Sequence, residues 1–292
     1  METLEGLWDA LETTGDIQSI VRTMKALSSV SIRQYDRAEA AMGEYARTVE
    51  LGLMAALRNC RAEDLTLPAS GRRTGREALL VIGSDRGLCG GYNDRITRFA
   101  LSRMGDRPMR LGVIGMRAAA RLKTAGRPAD LVRPLPGSVE GLSRLVQSLI
   151  VEVDHWTRNS GVGEVWLVHN RREGRIAAKP QAHRLLPLAE SYLHKLAQAD
   201  WPGHSLPLVR EDPAGIMSWL VQQRLFVVVY RALAEALASE HASRLLAMQA
   251  AERNIAERRD DLQQLYRQLR QQTITRELLD VVSGFEAVRS AD

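Results

Sequence analysis

Between residue 3 and about residue 60, large apolar side chains return at intervals of three, four or seven. They are Leu4, Leu7, Leu11, Val21, Met24, Leu27, Val49, Leu53 and Leu57. That is the period of one helix face, and no proline interrupts it. From Ser28 to Ala46 the stripe thins to small residues and single large ones (Ile32, Tyr35, Met42, Tyr45). So narrow a stripe suits a two-helix seam better than a helix lying on a broad core. Thr13-Thr14-Gly15-Asp16 is the weak spot, where a kink is expected. The other end of the chain repeats the pattern. Asp212-Pro213 reads as a helix start, with Asp212 as cap and Pro213 where a missing N–H costs nothing. Beyond it Leu220, Leu225, Val228, Leu233, Leu237, Leu245, Met248, Ile255, Leu262, Leu265 and Leu269 recur among Ala, Arg, Gln and Glu. As one helix of ~78 residues at about 1.5 Å each it would span roughly 115 Å.

The middle of the chain is patterned differently. All ten prolines lie between Pro68 and Pro213. A first strand is predicted at Ala78–Gly83, followed by a glycine-rich turn. A helix from about Asp94 to Met104, a strand at Met109–Met116, a helix at Arg117–Thr124 and a short strand at Leu131-Val132 follow. Val139–Trp156 reads as an amphipathic helix, and strands at Glu164–Asn170 and around Ala182–Leu188 complete the set. Strands alternating with helices at this spacing indicate an α/β layered domain with a mostly parallel sheet.

The expected organisation is therefore an N-terminal helix (residues 1–66), a central α/β domain (67–212) and a C-terminal helix (213–292). An antiparallel coiled coil of the two end helices buries both stripes at least cost. The first helix is about 20 residues shorter, so roughly 30 Å of the second has no partner from its own chain. Its apolar end, with Leu278, Leu279, Val281, Val282, Phe285 and Val288, needs a socket in another protein.

Composition agrees. The chain has 292 residues, 45% hydrophobic, 26% charged and 5% aromatic, which fits a helix-rich protein with an ample core. No run approaches the ~20 apolar residues of a membrane span, and the acidic start lacks the layout of a secretion signal. The formal charge of +5 is uneven: Lys+Arg against Asp+Glu is 7 to 11 over residues 1–66, 23 to 14 over 67–212 and 10 to 10 over 213–292. A basic middle can meet nucleic acid, an anionic membrane or an acidic protein face. Two cysteines, Cys60 and Cys89, give no disulfide framework and read as buried free thiols in a reducing compartment.

Candidate chemistry is sparse. Gly83-Ser84-Asp85-Arg86-Gly87-Leu88-Cys89-Gly90-Gly91-Tyr92-Asn93 lies between strand and helix, where phosphate loops occur, but it matches neither G-x-G-x-x-G nor G-x-x-x-x-G-K-[ST]. A tight structural turn is the plainer reading. Cys89 beside Arg86 has no catalytic constellation around it and reads as a packed small side chain. The six histidines show no metal-ligand spacing, so no metal or cofactor is expected. Arg72-Arg73, Arg171-Arg172 and Arg175 read as solvated loop charges, and without aromatic interleaving nucleic-acid binding has little support.

Four stretches carry a resemblance to the gamma chain of the F-type ATP synthase. Ser84–Asn93 resembles that family's SDRGLCGG-x-N signature. Ile20–Ser29 (IVRTMKALSS) is similar to its ITKAMKMVAAS segment. Ser243–Ala251 (SRLLAMQAA) and Arg270–Gly284 (RQQTITRELLDVVSG) resemble its ARM-x-AM-x-AA and RQ-x-x-IT-x-EL-x-E-I-V-S-G motifs. They stand in the family's order over nearly the whole chain. Two departures are plain: the start is acidic from Asp9 to Asp16 where the family is basic, and Ser28-Ser29-Val30-Ser31 replaces a segment that usually ends in lysine.

The resemblance implies two end helices coiled together with a Rossmann-like domain between them. It also implies a rotor that is not itself an enzyme, turning inside a ring of alpha and beta chains. Family positions that couple rotor to catalytic subunits fall on Met24, Arg244, Arg270, Gln271, Thr275 and Glu277. The implied partners are the alpha and beta hexamer, the epsilon chain and the membrane c-ring, at the cytoplasmic face of a bacterial inner membrane, without insertion into it. Two other readings are open on the residues alone: a phosphate-binding α/β enzyme using Gly83–Gly91, and a coiled-coil adaptor.

Overall fold

The computed structural model describes residues 3–59, 76–205, 207 and 213–289. Asp212, Cys60 and Arg72-Arg73, singled out above, lie outside the described residues, as do the side chains of Phe285 and Val288. The chain begins with α1 (Leu4–Asn59). Then come β1 (Arg76–Ile82), α2 (Tyr92–Met104), β2 (Met109–Ile114), α3 (Met116–Thr124), β3 (Leu131–Arg133) and α4 (Glu140–Asn159). It continues through β4 (Val162–Glu173), β5 (Ile176–Leu186) and α5 (Glu190–Gln198) to α6 (Pro213–Arg289). Two compact units emerge, one of Met1–Leu27 with Leu245–Asp292 and one of Ser28–Arg244. No described helix is long and apolar enough to cross a membrane.

The first unit is a pair of antiparallel helices. Trp8 packs on Tyr266 at 6.1 Å between ring centroids, Arg259 donates to Gln18 at 3.0 Å, and Glu252 receives Arg22 at 3.5 Å and Lys25. Partners on α6 thus fall in number as those on α1 rise. Leu7 and Val21 are buried on α1, Met248 and Leu262 on α6, with Ile255 and Leu269 half-buried between and beyond. A spacing of seven or its double is the signature of a left-handed coiled seam, because it keeps one narrow stripe facing the partner. The expected weak spot does not end the helix. Helical structure runs through Thr13–Asp16, and Thr14 Oγ1 donates to the Ala10 carbonyl at 2.6 Å.

The second unit is built on a five-stranded sheet of order β3-β2-β1-β4-β5. β1 runs parallel to β2 and β4, β2 parallel to β3, and only β5 is antiparallel, to β4. Alternate side chains of a strand point to opposite faces. Leu79 and Val81 accordingly meet Ile96, Ala100, Ala118 and Leu122 of α2 and α3. Ala78, Leu80 and Ile82 instead join Leu142, Val146 and Trp156 of α4 with Leu53 of α1 and Leu233 and Leu237 of α6. Burial on both faces is why β1 is a continuous apolar run. The lower reaches of α1 and the start of α6 are thus part of this domain's core.

Three readings need correction. β5 begins at Ile176 rather than near Ala182, its polar IAAKPQA half tolerated because it is an edge strand, where Pro180 loses no central ladder bond. The helix α5 was not foreseen. Arg171 and Arg172 are not loop charges: they end β4 and pair with Glu235 of α6 (3.5 Å) and Asp36 of α1.

Candidate functional site

The glycine-rich turn after β1 is a self-satisfied staple. Ser84 N–H donates to Asn93 Oδ1 at 3.1 Å, and Asn93 Nδ2 returns a bond to Ser84 Oγ at 2.7 Å. Asp85 spans two further elements, accepting from Met116 N at 2.8 Å and Leu135 N at 2.7 Å. Gly83 is required by close approach: a Cβ there would stand 2.2 Å from Ala118 Cβ. Gly115, at φ +115°, adopts a backbone angle that side chains resist and lies against Ser84. Cys89 is 2% exposed, and burial pushes its thiol above the ordinary value, the reverse of an activated nucleophile. The Ser84, Asp85 and Asn93 side chains thus bond within the turn and to the elements beside it.

What the turn holds is α6. Arg244, 5% exposed, donates from Nη2 and Nε to the Gly87 carbonyl at 3.3 and 3.4 Å. Its Nη2 also meets Glu240 Oε1 at 2.5 Å, and its Nη1 donates to His241 Nδ1 at 3.3 Å. The His241 ring stacks on Tyr35 of α1 at 5.8 Å. One turn earlier Ser239 Oγ donates to the Ala177 carbonyl at 2.6 Å and Tyr92 OH to the Ala236 carbonyl at 3.0 Å. Earlier still, buried His169 donates from Nε2 to Glu235 Oε2 at 2.8 Å and stacks on His183. Each such bond contributes roughly 1 kcal/mol net, more where a charge takes part. Their spacing matters more: no slide or rotation of α6 by one residue preserves them.

The electrostatics fit a dry fastening. Burial pushes the Glu240 carboxyl up, with Arg244 pulling the other way. Burial, then the charges of Arg244 and Arg86, push His241 down to about 4, so it is neutral and can accept from Arg244. Burial alone would raise Glu235, but His169, Arg171 and Arg231 together hold it below the usual carboxylate range.

The residues carried over from the family motifs separate. Arg270, Gln271, Thr275 and Glu277 lie together on α6, all exposed, with Thr275 Oγ1 donating to the Gln271 carbonyl at 2.9 Å. Just beyond the Trp8–Tyr266 contact α1 has ended, and Leu278, Leu279, Val281 and Val282 are 53–68% exposed. Met24 is half-buried on α1, and Arg244 is buried in the clamp. Sequence reasoning missed Tyr35, Tyr92, Glu235, Ser239, Glu240 and His241. The available signal was a run of polar residues at core-facing positions of α6 (AEALASEHASR).

A unit of two antiparallel helices with an exposed apolar end, and a second unit in which an α/β domain holds the start of α6 by buried polar contacts, define a class of α/β protein with long paired end helices. The family model described as ATP synthase matches residues 3–288. The ATP synthase gamma chain of Thermosynechococcus vestitus is 29% identical over 99% of this chain and 100% of its own length. That of Xanthomonas campestris pv. campestris strain B100 is 33% identical over 73% of this chain and 74% of its own. In fold the chain is similar to a chain of the Euglena gracilis mitochondrial ATP synthase, at TM-score 0.65 and 18% identity over 99% of this chain and 95% of that one. It is also similar to one in the central stalk and c-ring structure of the Tetrahymena thermophila enzyme, at TM-score 0.56 and 20% identity over 80% and 99%. The chain belongs to the ATP synthase gamma-chain family. It is a central-stalk rotor subunit of an F-type ATP synthase, non-catalytic itself, with catalysis in the beta subunits.

Proposed function

We propose that the chain couples ion flow through a membrane c-ring to ATP synthesis or hydrolysis in an alpha/beta hexamer. Its partners are the alpha and beta subunits around the helix pair, and the epsilon subunit and c-ring at the α/β domain. Its place is peripheral, on the cytoplasmic face of a bacterial inner membrane. Residues 1–66 and 213–292 serve as the shaft and 67–212 as the foot. The observation that carries this reading is the end of α6, where Ile274, Leu278, Leu279, Val281 and Val282 are exposed beyond the Trp8–Tyr266 contact. An apolar helix end of this kind is stable only when housed.

A helix pair within three alpha/beta pairs presents a different face to each catalytic site. Each site's preferred conformation then depends on rotor angle, which is differential binding used as mechanical coupling. Arg270, Gln271, Thr275 and Glu277, charged or polar and solvent-facing, supply the directional contacts, with Met24 on the other helix. The apolar end supplies few directional bonds, so no angle is strongly trapped. Arg244 acts at one remove, by fixing α6 to the foot.

The test is the assembled complex carrying Arg270→Ala or Gln271→Ala. Ion pumping per ATP hydrolysed is expected to fall several-fold, or assembly to fail, while the isolated chain melts as the parent does. Full coupled activity in both variants contradicts the assignment.

A further inference from the structure

The face of α1 turned away from α6 carries a continuous row of exposed side chains. Glu5, Asp9, Glu12 and Asp16 stand three or four residues apart, so they share one side of the helix, and all four are exposed. One turn below Asp16 the row continues as Ile20 and Leu27, 59% and 62% exposed. Leu7 and Val21, both buried, lie on the opposite side, that of the seam with α6. We propose that this outer face docks a segment of the alpha/beta ring that is basic opposite Glu5–Asp16 and apolar opposite Ile20 and Leu27. The proposal rests on the reading above, that such a ring houses the helix pair.

The row is not explained by the chain alone. Like charges at these spacings repel and destabilise a helix standing by itself. Among the described residues none of the four carboxylates has an ion pair or a hydrogen bond, and α1 holds no lysine or arginine before Arg22. Only Glu5 lies in the first turn, so the helix dipole favours that one and not the other three. The charges lower on the same helix behave differently: Arg22 and Lys25 both reach Glu252 of α6.

The apolar part is the independent observation. Two large side chains on one line, with Ile17 beside them at 46% exposure, have no cover from α6. A face that is acidic for about three turns and apolar below fixes the chemistry of its partner. Lysine or arginine opposite the carboxylates relieves their repulsion, whereas an acidic loop, an anionic lipid or a nucleic acid adds to it. The acidic start is also where this chain departs from the basic start of its family, so the complementary charge on the ring departs with it.

The experiment assembles the full chain with the alpha and beta subunits of its own complex, at low and at high salt, and measures affinity. The parent is expected to bind more tightly at low salt. One chain carrying Glu5→Gln, Asp9→Asn, Glu12→Gln and Asp16→Asn should bind at least tenfold more weakly there, with a flattened salt dependence. Its own melting temperature should hold or rise, because the repulsion is gone. Ile20→Ser and Leu27→Ser should each weaken assembly several-fold at either salt without lowering the melting temperature. Asp106→Asn, an exposed carboxylate of the α2–β2 turn, should change nothing. A parent that assembles while the four-fold variant binds as tightly, with the same salt dependence, overturns this face alone. So does tighter binding by that variant, or self-association of the parent that the variant abolishes. A parent that does not assemble with alpha and beta subunits overturns the rotor reading together with it.

Discussion

The guanidinium of Arg244 and the carbonyl oxygen of Gly87 meet at 3.3 Å although 157 positions separate them in the chain. One belongs to α6 and the other to the turn after the first strand, so this contact joins the helix to the α/β domain through buried polar groups. Glu240, 5% exposed and salt-bridged to Arg244, makes the contact costly to dismantle. The SDRGLCGG-type turn therefore has a physical reason that is not phosphate binding: it offers a carbonyl to a helix and holds its own shape while doing so.

Arg244→Ala should strand the Glu240 carboxylate in a dry site. Removing one member of a buried pair costs about 3–5 kcal/mol, because the other charge is left uncompensated. Chemical denaturation of the full chain should show a loss of that order, and adding Glu240→Gln should recover part of it. A loss below about 1 kcal/mol would mean the pair is solvated. Arg244→Lys should be intermediate, since a lysine cannot reach carbonyl and carboxylate with one planar fork.

Stability should fall on mild acidification. His241 is held down to about 4 against an ordinary 6.5, so the unfolded chain binds this proton more readily. The contribution is whole above pH 6.5 and is lost as pH falls from there to about 4, up to roughly 3 kcal/mol. Glu240, raised by burial, opposes this, because its share is present at low pH and lost as pH rises through its folded value. Denaturation midpoints for the parent and His241→Gln across this range separate the two. The slope between pH 6.5 and 4.5 should flatten in the variant.

Gly83→Ala should be disruptive out of proportion to one methyl group. The new Cβ would lie 2.2 Å from Ala118 Cβ and 3.2 Å from Asn93 Oδ1, so strand or helix must move. Overpacking of this kind costs about 1–3 kcal/mol or more. Ala118→Gly in the same chain should recover part of the loss, despite the roughly 1 kcal/mol that a helix-interior glycine costs. No recovery would place the strain elsewhere.

Much of this fold is legible in the residues. The two proline-free ends are α1 and α6, because helix-period apolar stripes without breakers leave few alternatives. β1, β2 and β4 are apolar runs, since a parallel sheet is covered on both faces. β5 was half-missed because an edge strand packs one side of IAAKPQA and leaves the other polar. The motif resemblance brought out Arg270, Gln271, Thr275 and Glu277, which do share a stretch of α6. It also grouped Arg244 with them, although Arg244 is buried against Gly87. Tyr92, Ser239 and Glu240 were invisible for a general reason: a polar side chain at a core-facing position declares its partner only once the fold brings a carbonyl or charge opposite it. Pairings across 157 positions leave no local period to read.

The central claim is that the chain turns within its complex. The direct measurement fixes an assembly of this chain with alpha and beta subunits by its catalytic ring. A probe attached to the exposed β4–β5 turn, at Arg175→Cys, then reports motion during ATP hydrolysis. Continuous rotation in one direction, with a rate that follows ATP turnover, is the result predicted here. Sustained hydrolysis with a stationary or randomly diffusing probe on a correctly assembled complex would contradict it.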